Sequence, residues 1–136
     1  MADVTDRDGD LWNDDSVELF VNANPEYGSC HYIINSKGVL LDARTPPDAD
    51  EDVAWNSSAV VKTTVDKAKR QWVVTLAVPL KELGVKSGQG QTWPFNLNCS
   101  KPQPEGGWIE SSWSARGLSR YPDPTGWGKM VNVNIP

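Results

Sequence analysis

The sequence predicts an all-β domain, an antiparallel β-sandwich of jelly-roll or immunoglobulin-like type. About eight short segments alternate apolar and polar residues, as half-buried strands do, and turn-forming residues separate them every eight to twelve positions. Segments with helical periodicity are almost absent. A chain of 136 residues has the length of one domain with a core of its own, so we assign residues 1–136 to a single domain.

The predicted strands are short and regularly spaced. Residues 79–83 predict a single helical turn that begins at Pro79 and ends at Gly84, residues 87–91 a flexible loop, and residues 45–53 an acidic loop too polar to pack. In chain order, the strands are predicted at residues 17–22, 30–35, 39–43, 59–65, 71–78, 93–99, 108–114 and 129–135.

The alternation assigns side chains to faces. In residues 17–22 the three aliphatic side chains share one face, and Glu18, Phe20 and Asn22 share the other. Asn96 and Asn98 likewise lie opposite the apolar side chains of their strand. By the same parity, Trp72 and Trp93 are predicted to be core residues.

The composition excludes several classes of partner. The net charge is −5 and the pI about 4.7, so there is no basic surface to bind nucleic acid or an anionic membrane. No apolar run approaches the length of about 20 residues that a spanning helix needs. The first residues do not resemble a signal peptide.

Seven tryptophans accompany only two phenylalanines, which indicates that some indoles line a binding surface. Trp12, Trp55, Trp108 and Trp127 fall at predicted strand ends or in loops, where a ligand is most plausible. Trp12 precedes Glu18 by six residues, so a turn could bring a flat ring and a carboxylate to one end of a sheet. This combination suits a sugar, whose C–H groups lie on aromatic faces while its hydroxyls form directional hydrogen bonds.

Neither a metal nor a cofactor is required by the residues present. Asp6, Asp8 and Asp10 suggest calcium, but the EF-hand positions are not filled; a looser structural calcium site and a solvated turn both remain open. Cys30 and Cys99 could form a disulfide or stay free. A single histidine, His31, is more readily a structural residue than part of a catalytic group.

Three motifs together resemble the family 9 carbohydrate-binding modules and their DOMON-like relatives. The first is D-R-D-G-D-L-W-N-D-D-S-V-E-L-F-V-N from residue 6. The second is W-V-V-T-L-A-V-P-L-K-E-L-G from residue 72, followed by W-P-F-N-L-N. The third is S-S-W-S from residue 111, followed by Y-P-D-P-T-G-W-G-K-M. The three motifs occur in this order over about 120 residues, and their combination is more specific than any one of them.

The resemblance implies a β-sandwich that binds oligo- or polysaccharide, such as cellulose or xylan, between two aromatic rings without catalysis. Trp12 matches the first ring and Glu18 a hydrogen-bonding acid, while Asn98 stands where an amide can lie. Tyr121 falls near the second ring, with Trp127 as its rival. The resemblance also implies an extracellular or periplasmic location beside enzymes of polysaccharide degradation.

The sequence departs from the family pattern in two places. Ile33 replaces an arginine that can bind sugar; either Arg44, Arg116 or Arg120 compensates, or that contact is lost. Several strands usually precede the first motif, so we expect either that an N-terminal part is missing or that another chain or segment supplies those strands. Without them the sheet edges would be open, which favours strand exchange or homodimerisation.

Three other functions remain as alternatives. A glycoside hydrolase would use a carboxylate pair that includes Glu18 or Glu110. A haem-binding electron-transfer domain of DOMON type would use Met130 with His31 or Lys129. A structural or adhesive domain would bind no ligand at all.

Overall fold

A computed structural model describes residues 2–114 and 124–135, and in them the chain forms the predicted antiparallel β-sandwich. None of the helices in these residues is long and apolar enough to cross a membrane. The strands are β1 (Ser16–Asn24), β2 (Gly28–Asn35), β3 (Leu40–Thr45), β4 (Val60–Asp66), β5 (Gln71–Ala77), β6 (Gly88–Pro102), β7 (Trp108–Ser112) and β8 (Gly128–Ile135).

Six of the strands form one large sheet. Its order is β3-β2-β1-β6-β7, and β8 pairs with the first half of the long strand β6. The smaller sheet is the β4–β5 hairpin. Since β1 lies at the centre, side chains from β2 and β6 flank those of β1 on both faces.

The core lies between the two sheets. Val21, Cys30, Tyr32 and Ile34 project from the large sheet, and Val61, Val74 and Leu76 of the hairpin pack against them. The predicted helical turn is a 3₁₀ helix at Leu80–Leu83, and Leu83 joins this core. Gly84 ends the turn in the left-handed conformation, with φ 65°, where a glycine carries no steric cost. The opposite face of the large sheet takes no part in this core.

Two predictions about these elements are wrong. Residues 88–91 are part of β6 and not a flexible loop, because Gly88 and Gln91 pair with Ile135 and Val133 of β8. Trp72 is only half-buried, beside Val65, which is 53% exposed. Within residues 2–114 and 124–135 no further strand pairs with the hairpin to enclose that end, so the ring lies on the face that strand parity predicts without being buried.

The hairpin also leaves part of the inner face of the large sheet uncovered. Leu97 is 47% and Trp113 58% exposed there, beside a cleft of ≈ 300 Å³ that Val17 and Cys99 also line. Phe95 stacks on Trp113 with ring centroids 4.6 Å apart. We call this apolar region the open inner face.

Candidate functional site

Polar side chains cover the face of the large sheet that points away from the core. We call this the polar face; its members are Glu18 and Phe20 of β1, His31 of β2, Asn96 and Asn98 of β6, and Ser112 of β7. The strand register brings them side by side, because Phe20 pairs with both His31 and Asn96, Glu18 pairs with Asn98, and Asn98 pairs with Ser112. The register therefore places Glu18 and Asn98, two of the residues that the sequence assigns to a sugar site, next to each other.

A hydrogen-bond chain fixes the amide of Asn98. The Asn96 side chain is fully buried; its carbonyl accepts from the Ser112 and Ser114 hydroxyls at 3.1 and 2.9 Å. Its amide nitrogen donates to Asn98 Oδ1 at 3.0 Å. Because that bond fixes which end of the Asn98 amide is the acceptor, Nδ2 is the donor on the Glu18 side; it has no partner at hydrogen-bond distance but is near enough to favour the charged form of that carboxyl.

Glu18 is a carboxyl group held mostly away from water, with its side chain 14% exposed. Burial raises the pKa of this carboxyl above its usual value, and the nearby carboxylates of Glu110 and Glu51 act in the same direction. His31 and the Asn98 amide oppose the rise only in part. A carboxyl group with so little contact with water gains hydrogen bonds from any ligand that supplies hydroxyl donors.

His31 is held from two sides. Its ring stacks on Phe20 with centroids 3.9 Å apart, and Nδ1 lies 3.0 Å from Glu51 Oε1. Nε2 lies 3.9 Å from Glu18 Oε2, too far for a hydrogen bond. Hydrogen bonding to His31 lowers the pKa of Glu51, so Glu51 is a carboxylate acceptor at neutral pH.

Four buried polar atoms on this side of the sheet lack a hydrogen-bond partner among the described residues. They are His31 Nε2, Asn98 Nδ2 and Ser16 Oγ, and Asn22 Oδ1 on the same face of β1 is the fourth. Buried polar atoms are nearly always paired, so a cluster of unpaired ones calls for a partner that is supplied from outside the chain. A ligand rich in hydroxyl groups provides both donors and acceptors for such atoms.

The turn that carries Trp12 is anchored to the same end of the sheet. It is a 3₁₀ helix at Leu11–Asn13, and the fully buried Leu11 packs on Ile33. Ile33 pairs with Glu18 across β1 and β2, so the turn lies at the Glu18 end of the polar face. The Trp12 side chain is 46% exposed, which leaves ring surface free for stacking.

Asp14 holds the N-terminal segment in place for this turn. Its buried carboxylate accepts from the backbone N–H groups of Asp3 (2.9 and 3.1 Å) and Val4 (3.1 Å), and from Asn35 Nδ2 (3.0 Å). The adjacent aspartates in the sequence predict that Asp14 caps the turn into β1 or binds calcium; these partners, which lie 10 to 21 residues away along the chain, are not visible in local sequence.

Replacing Asp14 with alanine is expected to lower the free energy of unfolding by about 2–4 kcal/mol, because several buried donors lose their acceptor. Urea denaturation would measure the change, with Asp15→Ala as a control that removes a neighbouring charge. Equal stability of the two variants would show that Asp14 does not hold the segment.

Trp127 is not the exposed ring that the sequence suggested. Its side chain is 7% exposed, and its ring lies 5.5 Å from that of Phe20 at an angle of 37°. Packing on Phe20, a contact that local sequence does not reveal, buries it. Tyr121, Arg116 and Arg120 lie outside the described residues.

The other arginine considered as a compensating residue, Arg44, does not reach the polar face. Its guanidinium lies 3.7 Å from the centre of the Tyr27 ring and donates to the Tyr27 carbonyl at 3.0 Å. Ile33, at the position of the missing arginine, is buried under Leu11. Among the described residues, His31 is the basic side chain that the structure places beside Glu18.

The remaining tryptophans divide between the two sides of the sheet. Trp93 is a core residue, as predicted, and Trp55 meets Tyr32 edge to face. Trp108 is 45% exposed on β7, on the same side as Glu110 by strand alternation.

A cleft of ≈ 320 Å³ opens beside Phe20, with Glu51 and Pro124 on its walls.

The acidic N-terminal residues do not converge on one point in the part of the chain that the structure describes. Within residues 2–114 and 124–135 no three His, Cys, Asp or Glu side chains converge to hold a metal ion. Asp8 lies 3.6 Å from Arg7 Nε, and Asp10 accepts from the Asn13 amide. Asp6, Asp8 and Asp10 therefore do not fit a calcium site built from convergent carboxylates.

Cys30 and Cys99 are both free thiols. β1 separates their strands, since Cys30 pairs with Val21 and Cys99 with Val17 on opposite sides of it. Haem ligation is likewise not supported, because Met130 packs on the core between the sheets whereas His31 lies on the opposite face of the large sheet.

Comparison with known proteins adds a family and a set of related folds. The sequence profile described as "Carbohydrate family 9 binding domain-like" matches residues 1–134. No curated protein matches the sequence. A candidate carbohydrate-binding protein from Bacteroides uniformis ATCC 8492 has a similar structure, with a TM-score of 0.75 and 18% identity over 96% of this chain and 66% of that one.

Two further structures belong to a family 9 carbohydrate-binding module from Caldicellulosiruptor kristjanssonii. The complex with glucose has a TM-score of 0.69 and 16% identity over 94% of this chain. The complex with cellotriose has a TM-score of 0.68 and 15% identity over 96% of this chain. This chain spans 63% of the length of both, and at these identities the likeness establishes the fold.

Proposed function

Because the chain belongs to the carbohydrate family 9 binding domain-like family, we propose that it binds an oligo- or polysaccharide on the polar face without catalysing a reaction. The observation that carries this proposal is the cluster of buried, unpaired polar atoms, His31 Nε2 and Asn98 Nδ2, beside a largely buried carboxyl, Glu18. Sugar hydroxyls complement all three groups.

Binding combines stacking with directional hydrogen bonds. Trp12 offers the exposed ring on which a pyranose lies, and Glu18 and Asn98 bond its hydroxyls. We infer a second ring from Tyr121, since the competing Trp127 is buried against Phe20. Each stacked ring adds about 0.5–1.5 kcal/mol beyond the area that it buries, so micromolar to millimolar affinity is expected for a short ligand.

Glucose polymers are the first ligands to test. The solved family 9 module that this chain resembles was crystallised with glucose and with cellotriose. We propose cellulose chains as the natural ligand class and xylan as the next candidate, at a location outside the cytoplasm where such polymers are degraded. Among the described residues, His31 is the only basic residue next to Glu18. A site with this composition fits neutral sugars.

Isothermal titration calorimetry with cellotriose and xylotriose tests this function directly. Saturable heat with either sugar supports it. A titration with no heat above dilution for cello- and xylo-oligosaccharides at millimolar concentration, confirmed by an unchanged NMR spectrum, would refute it.

One observation keeps a hydrolase as the second candidate. Glu18 carries a raised pKa, and the carboxylate of Glu110 lies near enough to contribute to it; a general acid beside a second carboxylate is what glycoside hydrolysis requires. Release of new reducing ends from a polysaccharide panel, lost in Glu110→Gln, would establish this activity. The family is one of binding modules, so we favour binding.

We also propose that two copies associate through their open apolar surfaces. The open inner face exposes Leu97 and Trp113, and the β4–β5 hairpin has no further strand on either side among the described residues. Light scattering over a hundredfold range of concentration tests this association, and a constant monomer mass would exclude it.

A further inference from the structure

The loop between β3 and β4 reaches the polar face through one side chain. Two backbone hydrogen bonds hold this loop to the sheet: Arg44 N–H donates to the Asp52 carbonyl at 3.1 Å, and Asp52 N–H donates to the Arg44 carbonyl at 2.7 Å. Glu51 is the residue before this bridge. Although the loop was predicted to be too polar to pack, its Glu51 docks on His31.

The contact with Glu51 decides which His31 nitrogen carries the proton. A carboxylate can only accept, so Nδ1, at 3.0 Å from Glu51 Oε1, must be the protonated nitrogen. In the neutral imidazole Nε2 then bears a lone pair and no hydrogen. Stacking on Phe20 keeps the ring in this orientation.

Two acceptors consequently face each other across a gap. Nε2 and Glu18 Oε2 are 3.9 Å apart, and no described residue donates to Nε2. Among the described residues, the charged groups around the imidazole are carboxylates: Glu18 on β1, Glu51 in the loop and, beyond Glu18, Glu110 on β7. Adjacent hydroxyls of one sugar would supply one proton to Nε2 and one to Glu18.

We propose that Glu51 is a positioning residue for saccharide binding, which fixes His31 in the Nδ1–H tautomer so that Nε2 accepts a sugar hydroxyl next to Glu18. This inference rests on the proposed function and deepens it, because it assigns a binding role to His31 and an indirect one to Glu51. Without the carboxylate, the imidazole is free to place its proton on Nε2, which then points a donor towards Glu18 and can no longer accept from the sugar hydroxyl.

The single histidine of the chain makes this tautomer directly measurable. Long-range ¹H–¹⁵N NMR at about pH 8, above the ordinary imidazole range, should show Nε2 as an unprotonated nitrogen in the wild type. Saturation with cellotriose should shift that nitrogen signal. In Glu51→Ala the Nε2–H tautomer should become the major form.

Calorimetry with cellotriose on the same samples completes the test. Glu51→Ala should weaken binding about five- to tenfold, as expected for the loss of one hydrogen bond, and Glu51→Gln, which keeps an acceptor for Nδ1–H, should recover part of it. Asp48→Ala, an exposed acid in the same loop, should bind like the wild type.

The outcomes separate this inference from the function on which it rests. If the wild type binds no cellotriose, the inference falls together with saccharide binding at this face. If the wild type binds but carries its proton on Nε2, or if Glu51→Ala binds as tightly as Asp48→Ala, only the role of Glu51 is overturned.

Discussion

Replacing Glu18 with glutamine is expected to weaken saccharide binding by about ten- to a hundredfold while making the fold more stable at neutral pH. Hydrogen bonds to a charged group contribute about 1.5–3 kcal/mol, and glutamine replaces one charged acceptor with an amide donor. Calorimetry with cellotriose would measure the loss, with Glu26→Gln, on an exposed turn, as the matched control.

The gain in stability follows from the sign of the pKa shift. Burial raises the pKa of Glu18 above its ordinary value of 4.5, so the folded state retains the proton more tightly than the unfolded state. Stability therefore falls as the pH rises through the interval between these two values. Glu18→Gln should have a higher Tm than the wild type at pH 7, and the difference should vanish below about pH 4. A lower Tm at pH 7 would contradict the account of Glu18 as a destabilising, functional carboxyl.

Replacing Trp12 with alanine should abolish measurable binding and leave the unfolding transition almost unchanged. The 46% exposed side chain contributes little to the core, whereas loss of a stacking ring removes contact area as well as the specific aromatic interaction. Neighbouring Leu11 remains to hold the turn on Ile33.

Trp113→Ala is the matched control for this variant, because Trp113 is also exposed, at 58%, but lies on the open inner face. It should bind cellotriose like the wild type. Loss of binding in Trp113→Ala with normal binding in Trp12→Ala would move the saccharide to the other side of the sheet.

Much of the site could be predicted from local sequence. The two-residue period of residues 17–22 and 93–99 fixes which side chains share a face of each strand, and this placed Glu18 opposite the core together with the two asparagines of β6. The family resemblance, confirmed by the profile match over residues 1–134, is the basis of the proposed function. Both signals reside in continuous stretches of chain.

What could not be predicted depends on which strands are neighbours. That β1 lies between β2 and β6 is decided by the fold as a whole, and only this order brings His31 beside Glu18. His31 was interpreted as structural for that reason. A lone histidine in the strand next to an acidic motif was the available signal, and it is a weak one.

Contacts from loops escaped prediction for a related reason. Glu51 belongs to an acidic, proline-rich loop, and nothing in its own sequence shows that a backbone bridge between Arg44 and Asp52 directs it onto the sheet. Trp127 follows a turn-rich segment that is typical of exposed rings, yet Phe20 covers it. Trp72 shows the reverse case, since in the described part of the chain β5 pairs with β4 alone and no further strand completes the burial of the ring.

The most direct test of the account is NMR mapping of a cellotriose titration on isotope-labelled protein. The account predicts that the largest chemical-shift changes occur at the Trp12 indole, the Asn98 side-chain amide and the backbone around Glu18 and His31, while the Trp113 indole is unaffected. Shifts confined to Leu97 and Trp113 on the open inner face, or no shifts at millimolar cellotriose, would contradict it.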